Sequence, residues 1–183
     1  TRLCRDWSSD VCSSDLTEIN LPENIIQEFC NLKSRKDVAF FLNVSEYCLI
    51  NIIGIKRVGY FYDTFTIKKK NGSFRTISAP KSDLKSIQRK LARCLQIIYL
   101  NRRRESVHGF VPFKSIKTNA KEHLRKEFII NIDLKDFFET ISYYRVKMMF
   151  IKGFGLDEKA ANTICSLVCL NNSLPQGARS EEH

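Results

Sequence analysis

Acidic side chains are scarce in this sequence: 20 Asp and Glu stand against 30 Lys and Arg, and the formal net charge is +10 over 183 residues. This imbalance favours a polyanionic partner, with nucleic acid the leading candidate, because phosphate contacts release bound counterions. Long hydrophobic runs are also missing. No apolar stretch reaches the roughly 18 residues of a membrane-spanning helix, and no basic amphipathic helix suggests attachment to anionic lipid. We therefore expect no membrane association.

Cysteine spacings typical of metal sites or disulfide frameworks are absent as well. The seven cysteines are odd in number and most lie in apolar stretches, which indicates reduced, buried thiols in a cytosolic protein. Cys165 and Cys169 are four apart on a predicted helix, and only Cys4 and Cys12 lie near a terminus, so no zinc ligand set emerges. No cationic stretch followed by an apolar one opens the chain, so we expect no secretory signal and a cytoplasmic location.

Both ends of the chain depart from the pattern of a folded protein. Residues 1–16 lack helical and strand periodicity, contain the only Trp, and resemble translated sequencing-adapter text, as do residues 179–183. We interpret both as non-native tails, with an ordinary N-terminal tail as the alternative for the first. The remainder divides into a helical segment at 17–54 and a second unit at 55–178, without internal repeats or a low-complexity linker.

The first half of the chain combines helices with one β-hairpin. Apolar spacings of three and four predict three short helices between residues 21 and 54, with Ser34 and Ser45 as N-caps. Two β-rich runs, at 60–67 and 73–77, flank a lysine-rich Asn-Gly turn, which is typical of a hairpin that ends at Pro80. Ser82 is then predicted to cap a long amphipathic helix, whose core face is formed by Leu84, Ile87, Leu91, Leu95 and Ile98.

The second half alternates helices with one apolar strand. Three arginines at 102–104 end the long helix, and a second basic helix is predicted from Ser115 to Lys126. The run from Phe128 to Asp133 is typical of a short buried strand with a carboxylate at its C-terminal end. Helices are expected at 143–152 and, after the N-cap candidate Asp157, up to Leu170.

Seven short elements follow one another between about Val38 and Ala178. They are Tyr62-x-x-Phe65-x-Ile67, Arg75-x-Ile77-x-x-Pro80, Leu84-Lys85-x-Ile87-Gln88-Arg89, His108-Gly109-Phe110, Ser115-Ile116-x-x-Asn119-Ala120-x-x-His123, Asn131-Ile132-Asp133-Leu134-Lys135-Asp136-Phe137-Phe138 and Leu174-Pro175-Gln176-Gly177. In this order they resemble the fingers and early palm of reverse transcriptases, most closely those of bacterial retrons. Each element alone is weak evidence, but seven in the family's order are not expected by chance. The resemblance implies an α+β, right-hand polymerase fold: mostly helical fingers with the β-hairpin, and an incomplete palm.

The resemblance implies that Asp133 is the first of three catalytic aspartates and that the Leu134 carbonyl is a backbone metal ligand. Two Mg²⁺ ions align and neutralise the reacting phosphates in enzymes of this type. Asp136 is expected not to bind the metal, whereas the backbone N–H groups of Asp136 and Phe137 would meet the triphosphate. For an isolated aspartate at the position of Asp133, an N-cap or turn role would be the simpler interpretation.

Further roles in nucleotide binding follow from the resemblance. Phe138 is the expected steric gate that rejects a ribose 2′-hydroxyl, although a core Phe is nearly as good an interpretation from sequence. Lys68, or its neighbours Lys69 and Lys70, and Arg75 match the residues that grip the triphosphate; a solvated hairpin tip is the alternative. Gln176 and Gly177 match a segment that packs on the incoming nucleotide and template base, where a plain loop is the alternative.

The basic helix faces are expected to hold the template and primer through phosphate contacts, which position a duplex without reading its sequence. A solvated helix end is the alternative for the three arginines. The implied partners are an RNA template, a DNA or RNA primer and dNTPs, with a cognate non-coding RNA and an effector protein as further possibilities. His108 and His123 are assigned neither metal nor acid–base roles. The residues expected to contact nucleic acid are Lys85, Arg89, Arg93, Arg102, Arg103 and Arg104.

The sequence departs from the family after Ala178. The Tyr-x-Asp-Asp strand that supplies the other two catalytic carboxylates is not in the sequence, so we expect a polymerase fragment that is inactive alone. Two alternatives remain open. One is a non-catalytic RNA-binding module or a relative of reverse transcriptases that acts in phage defence. The other is a basic α/β domain with another role in nucleic-acid binding.

Overall fold

The computed structural model describes residues 24–56, 60–68, 72–102, 105–109, 111 and 113–176. These residues form a mixed helical structure with one small antiparallel sheet, in agreement with the predicted α+β class. The proposed non-native tails at 1–16 and 179–183 lie outside the described residues. The elements in chain order are α1 (Asn24–Cys30), α2 (Arg35–Phe41), α3 (Glu46–Lys56), β1 (Tyr62–Lys68), β2 (Phe74–Pro80), α4 (Ser82–Arg102), α5 (Ile116–Glu122), α6 (Phe137–Thr140), α7 (Tyr143–Met148), a π-helical turn (Met149–Gly153) and α8 (Glu158–Val168).

The three predicted N-terminal helices are present, and both predicted caps are confirmed. Ser34 accepts a hydrogen bond from the backbone of Asp37, whose carboxylate in turn accepts from the backbone of Ser34, so α2 begins with a capping box. Ser45 Oγ accepts from the backbone N–H of Cys48 at the start of α3. The two backbone hydrogen bonds from Lys33 and Ser34 lower the pKa of the Asp37 carboxyl.

Phe29 of α1 forms the centre of an aromatic cluster. Its ring is fully buried and lies 5.7 Å from Phe41, 6.2 Å from Phe150 and 5.7 Å from Phe154, measured between ring centroids. These tilted and edge-on arrangements are the favourable geometries for aromatic rings. The cluster joins α1 and α2 to the π-helical turn, so the N-terminal helices share one hydrophobic core with α4 and α8.

The predicted hairpin is confirmed, with β1 and β2 antiparallel and in a register that runs from Tyr62 opposite Pro80 to Lys68 opposite Phe74. Gly72 follows the turn with a φ of 84°, a conformation that glycine adopts without steric strain. Only the base of the hairpin is packed: Tyr62, Ile77 and Pro80 are buried, and the rest of β1 is exposed. The part of β1 from Asp63 to Lys68 therefore lies away from the core.

Helix α4 buries the predicted apolar face. Leu84, Ile87, Leu91 and Ile98 are buried and Leu95 is partly buried against the same core. The predicted cap was wrong by one residue, since Ser82 is already helical and the carbonyl of Lys81 accepts the N–H of Lys85 at 2.8 Å. One-residue shifts of this kind are common at helix ends.

The predicted strand from Phe128 to Asp133 was wrong. Residues 126–134 have no regular secondary structure, and Phe128 and Ile130 are 86% and 84% exposed. A strand needs a neighbour for its backbone N–H and C=O groups, and the described residues contain only the two-stranded sheet of β1 and β2. Without such a neighbour the local β propensity of this run is not sufficient, because most of that propensity reflects packing against a sheet.

The second basic helix is shorter than predicted. Its N-cap Ser115 is confirmed, but α5 ends at Glu122, and Arg125 adopts a left-handed backbone with a φ of 61° instead of continuing the helix to Lys126. No residue of α5 is buried, so no tertiary packing extends it. Helices α7 and α8 are close to the prediction, with Asp157 confirmed as an N-cap and α8 ending at Val168 instead of Leu170.

Within the described residues no single helix is long and apolar enough to span a membrane, although α2 and the first part of α3, bent by 111°, satisfy the length and composition criteria together.

We predict that Phe29→Ala lowers the free energy of unfolding by about 3 kcal/mol, because it removes a buried ring and leaves a cavity among three other rings. Urea unfolding followed by circular dichroism measures this change. Phe40→Ala is the matched control, since Phe40 lies on the neighbouring helix and is 89% exposed. Equal effects of the two substitutions would contradict the assignment of Phe29 to the core.

Candidate active site

The expected catalytic segment, residues 133–138, lies on the surface of the described structure. Asp133 and Leu134 are exposed in an irregular segment that leads into α6. Asp136 occupies the N-cap position of α6 in a left-handed conformation, with a φ of 49°, which a short polar side chain tolerates better than most residues. Its side chain makes no capping hydrogen bond; its carbonyl accepts the N–H of Thr140 at 3.1 Å.

Phe137 and Phe138 begin α6 and remain about half exposed, at 44% and 43%. Their ring centroids are 5.4 Å apart in an edge-on arrangement. Neither ring belongs to the buried cluster that forms the core. The alternative interpretation of Phe138 as a core residue therefore does not describe this structure, and its ring is accessible to a ligand.

Residues 170–176 connect α6 with the hairpin through the backbone. The N–H of Leu174 donates to the carbonyl of Ile141, directly after α6, at 3.1 Å. Two residues on, the carbonyl of Gln176 accepts the N–H of Ser78 in β2 at 2.9 Å. This segment thus brings three predicted pieces of the site together: α6, the Leu-Pro-Gln element and the hairpin strand that carries Arg75.

The two expected triphosphate-binding cations lie toward the tip of the hairpin. Arg75 is opposite Ile67 in the register and is partly buried, whereas Lys68 is opposite Phe74 and exposed. Successive residues of a strand point to opposite faces, so Arg75 shares a face of the hairpin with Phe65 and Ile77. Lys68 and its partner Phe74 lie on the other face. Lys69 and Lys70, the alternatives to Lys68, lie outside the described residues.

The base of the hairpin is held by Gln88, a residue of the Leu84–Arg89 element for which the sequence predicted no role. Its side-chain amide donates one hydrogen bond to Tyr62 Oη at 3.1 Å and another to the carbonyl of Leu167 at 2.8 Å. This single side chain of α4 therefore links β1 to the end of α8. Burial raises the pKa of Tyr62 to about 12, an effect that the hydrogen bond from Gln88 partly offsets.

A basic stripe follows one side of α4. Lys85, Arg89 and Arg93 recur every four residues and therefore share a face of the helix, which lies away from its buried apolar face. Lys90 does not belong to this stripe, because its Nζ donates to the Leu42 carbonyl at the end of α2 at 2.8 Å. The side chain of Arg102, together with Arg103, Arg104 and Gly177, lies outside the described part of the structure.

The donors near Asp133 suit magnesium in kind, because Mg²⁺ prefers carboxylate and carbonyl oxygens. They are too few for the expected pair of ions. Among the residues that the structure describes, no group of three or more His, Cys, Asp or Glu side chains is arranged to hold a metal. His108 Nδ1 is hydrogen bonded to Thr118 Oγ1 at 2.9 Å, and His123 is the C-cap residue of α5.

The chain belongs to the reverse transcriptase (RNA-dependent DNA polymerase) family, whose sequence model matches residues 67–179. This match covers more than half of the chain and includes β2, α4, α6 and the 170–176 segment. The family membership confirms the resemblance on which the sequence interpretation was based.

Within that family the chain is similar to reverse transcriptases of retrons. It is similar to the Retron Mx162 reverse transcriptase of Myxococcus xanthus, with 40% identity over 58% of this chain and 21% of the relative. It also resembles the Retron Mx65 reverse transcriptase of the same organism, with 38% identity over 51% and 22%. For the Retron Ec86 reverse transcriptase of Escherichia coli the values are 34% identity over 65% and 37%. The chain thus spans between about a fifth and somewhat over a third of the length of these curated relatives.

We predict that Tyr62→Phe makes the stability of the chain less sensitive to alkaline pH. The folded-state pKa of Tyr62 is about 12, whereas an unfolded tyrosine has a pKa near ~10. The unfolded chain therefore loses this proton first, and stability that is fully present below pH ~10 is lost as the pH rises toward the folded-state pKa. Thermal midpoints measured in steps from pH 9 to 11.5 test this, with the exposed Tyr47→Phe as the control. Parallel curves for wild type and Tyr62→Phe would refute the assignment.

Proposed function

We propose that residues 55–178 form the fingers and the first part of the palm of a right-hand, magnesium-dependent RNA-directed DNA polymerase. Residues 17–54 would extend the fingers, which is supported by the hydrophobic core that α1, α2 and α3 share with α4 and α8. The reaction would be transfer of a deoxynucleotide from a dNTP to a primer on an RNA template. We propose a cytoplasmic location for this activity.

The observation that carries the proposal is the backbone connection through residues 170–176. Polymerisation requires that the triphosphate, the sugar and the template base of one nucleotide be held at the same time. The hydrogen bonds from Leu174 to Ile141 and from Ser78 to Gln176 bring the segments expected to contact these three groups next to one another. The family match covers all three segments.

Each site residue has one role in this proposal. Arg75 and, from the opposite face of the hairpin, Lys68 would neutralise the triphosphate, while the backbone N–H groups of Asp136 and Phe137 would contact it at the start of α6. Phe138 would exclude a ribose 2′-hydroxyl, since its ring is partly exposed directly after this turn. Gln176 and Gly177 would pack on the nucleotide and the template base.

Asp133 and the Leu134 carbonyl would bind magnesium in this polymerase. The ions would stabilise the negative charge that develops on the transferring phosphoryl group. One carboxylate and one carbonyl cannot hold two ions by themselves, so further carboxylates would complete the metal site in the whole enzyme.

A track of basic residues would hold the template and primer by phosphate contacts. It would consist of Lys85, Arg89, Arg93, Arg102, Arg103 and Arg104. The regular spacing of the first three along α4 supports a track that follows one strand of the nucleic acid. A non-coding RNA and an effector protein are further proposed partners, suggested by the similarity to retron reverse transcriptases.

We predict that the purified 183-residue chain incorporates no dNTP in a primer-extension assay with Mg²⁺ and an RNA template. A single aspartate is not sufficient to hold the two Mg²⁺ ions that would neutralise the charge of the triphosphate. Magnesium-dependent incorporation that is lost in Asp133→Asn would overturn this expectation and would mean that the chain itself completes the metal site.

Replacement of the α4 stripe, in Lys85→Gln/Arg89→Gln/Arg93→Gln, should weaken binding of an RNA–DNA duplex and reduce its salt dependence. The magnitude of the negative slope of log K against log salt is expected to fall by about 2 to 3, because each of the three lost phosphate contacts removes roughly 0.7–0.9. A fluorescence-anisotropy titration at several salt concentrations measures this slope. The matched control replaces three exposed lysines outside the stripe, Lys36, Lys152 and Lys159, and an equal change in that control would contradict the proposed track.

The source gene distinguishes the polymerase from a non-catalytic RNA-binding relative. Reading the DNA beyond the codon for Ala178 should reveal a Tyr-x-Asp-Asp motif within a few dozen codons if the proposed enzyme is correct. An intact reading frame without two adjacent acidic residues in such a motif would favour a non-catalytic module, which would retain the basic stripe and the hairpin but not the metal site.

A further inference from the structure

An exposed aromatic ring stands beside a basic helix in the segment 113–126, outside the residues assigned to nucleotide binding. Phe113 is 75% exposed and has a φ of 63°, a left-handed conformation that bulky residues rarely adopt. It precedes the N-cap Ser115 of α5 by two residues. Since consecutive Cα atoms are about 3.8 Å apart, the Cα atom of Phe113 lies within about 8 Å of that of Ser115.

The helix presents a strongly positive surface. Lys117 and Lys121 are four residues apart and therefore lie on one face of α5, and no residue of the helix is buried. The whole segment carries one acidic side chain, Glu122, against five basic ones: Lys114, Lys117, Lys121, Arg125 and Lys126. The charge thus favours a polyanion as the occupant of this surface.

Hydrogen bonds anchor α5 to residues 105–109, although none of its own residues is buried. His108 Nδ1 and Thr118 Oγ1 are hydrogen bonded at 2.9 Å, and Lys114 Nζ donates to the carbonyl of Glu105 at 3.2 Å. A capping box between Ser115 and Thr118 fixes the first turn of α5. The first turn of α5, which carries Lys117, is therefore held in a defined relation to residues 105–109.

We propose that Phe113, with Lys117 and Lys121, forms a binding site for single-stranded nucleic acid, in which the ring stacks on an unpaired base and the lysines contact the flanking phosphates. Stacking of this kind needs an exposed aromatic face and a basic groove or surface beside it, and both are present here. A base-paired duplex offers no unstacked base, so the site selects single strands. It depends on the proposed function only in taking nucleic acid as its ligand, and it is separate from the α4 stripe.

The test uses the full chain and a 12-nucleotide single-stranded RNA with one central 2-aminopurine, whose fluorescence falls when the base stacks. Phe113→Gly is the decisive variant, because glycine is well suited to a φ of 63° and this substitution should leave the fold intact or stabilise it. We expect it to abolish the additional quenching and to weaken binding about tenfold, within the range for one stacked base. Phe113→Tyr should restore both.

Two controls separate stacking from other effects. Phe40→Gly removes a ring that is even more exposed, on α2, and should leave RNA binding unchanged. Binding of a blunt duplex should be the same for wild type and Phe113→Gly. Unchanged affinity and quenching in Phe113→Gly, or an equal loss for the duplex, would overturn the proposal.

The same titrations distinguish this site from the proposed polymerase function. If the α4 triple variant weakens duplex binding while Phe113→Gly has no effect on the single strand, this inference is wrong and the template–primer track stands. If Phe113→Gly acts as expected while the α4 variant binds duplex normally, the single-strand site stands and the track is wrong.

Discussion

The arrangement of the candidate site depends on the backbone hydrogen bonds of residues 170–176. Two of these bonds, from Leu174 to Ile141 and from Ser78 to Gln176, connect α6 with the hairpin, and a third, from Tyr143 to the carbonyl of Asn172 at 2.7 Å, fixes the turn between them. Asn171 and Asn172 both have left-handed backbones, with φ values of 50° and 65°, a conformation that asparagine adopts more readily than most residues. Asn171 and Asn172 thus allow the turn whose backbone groups bond to α6 and to the hairpin.

A second constraint comes from the base of the hairpin. A two-stranded hairpin is at most marginally stable in water, and the tip of this one is exposed on β1. Its attachment rests on Ile77 and Tyr62, which are buried, and on Gln88, which joins Tyr62 to α8. A buried base with an exposed outer end would suit the roles proposed for Lys68 and Arg75, which require both a fixed position and access to a ligand.

The helices and the hairpin could be predicted from the sequence because their signals are local. Each capping side chain accepts from a backbone N–H only two or three residues along the chain, as at Ser34, Ser45, Ser115 and Asp157. The buried face of α4 follows from the spacing of its apolar residues alone. The run from Phe128 to Asp133 could not be predicted in this way, since a strand depends on a partner that sequence periodicity does not reveal. The Gln88 bridge was missed for a similar reason: its partners lie 26 and 79 residues away.

The positions of basic residues and exposed aromatic rings would separate the two proposed modes of nucleic-acid binding, phosphate contacts on α4 and base stacking on Phe113. The α4 stripe offers cations on a helix whose opposite face is buried, so it would contribute affinity through phosphate contacts, whereas Lys85, Arg89 and Arg93 have no ring on which a base could stack. Phosphate contacts alone do not distinguish a duplex from a single strand. Phe113 adds what the stripe lacks, because stacking needs a base that is not already paired. A polymerase handles both forms of its template, paired behind the growing primer end and unpaired ahead of it. A surface with both kinds of site could therefore hold each form by a different interaction.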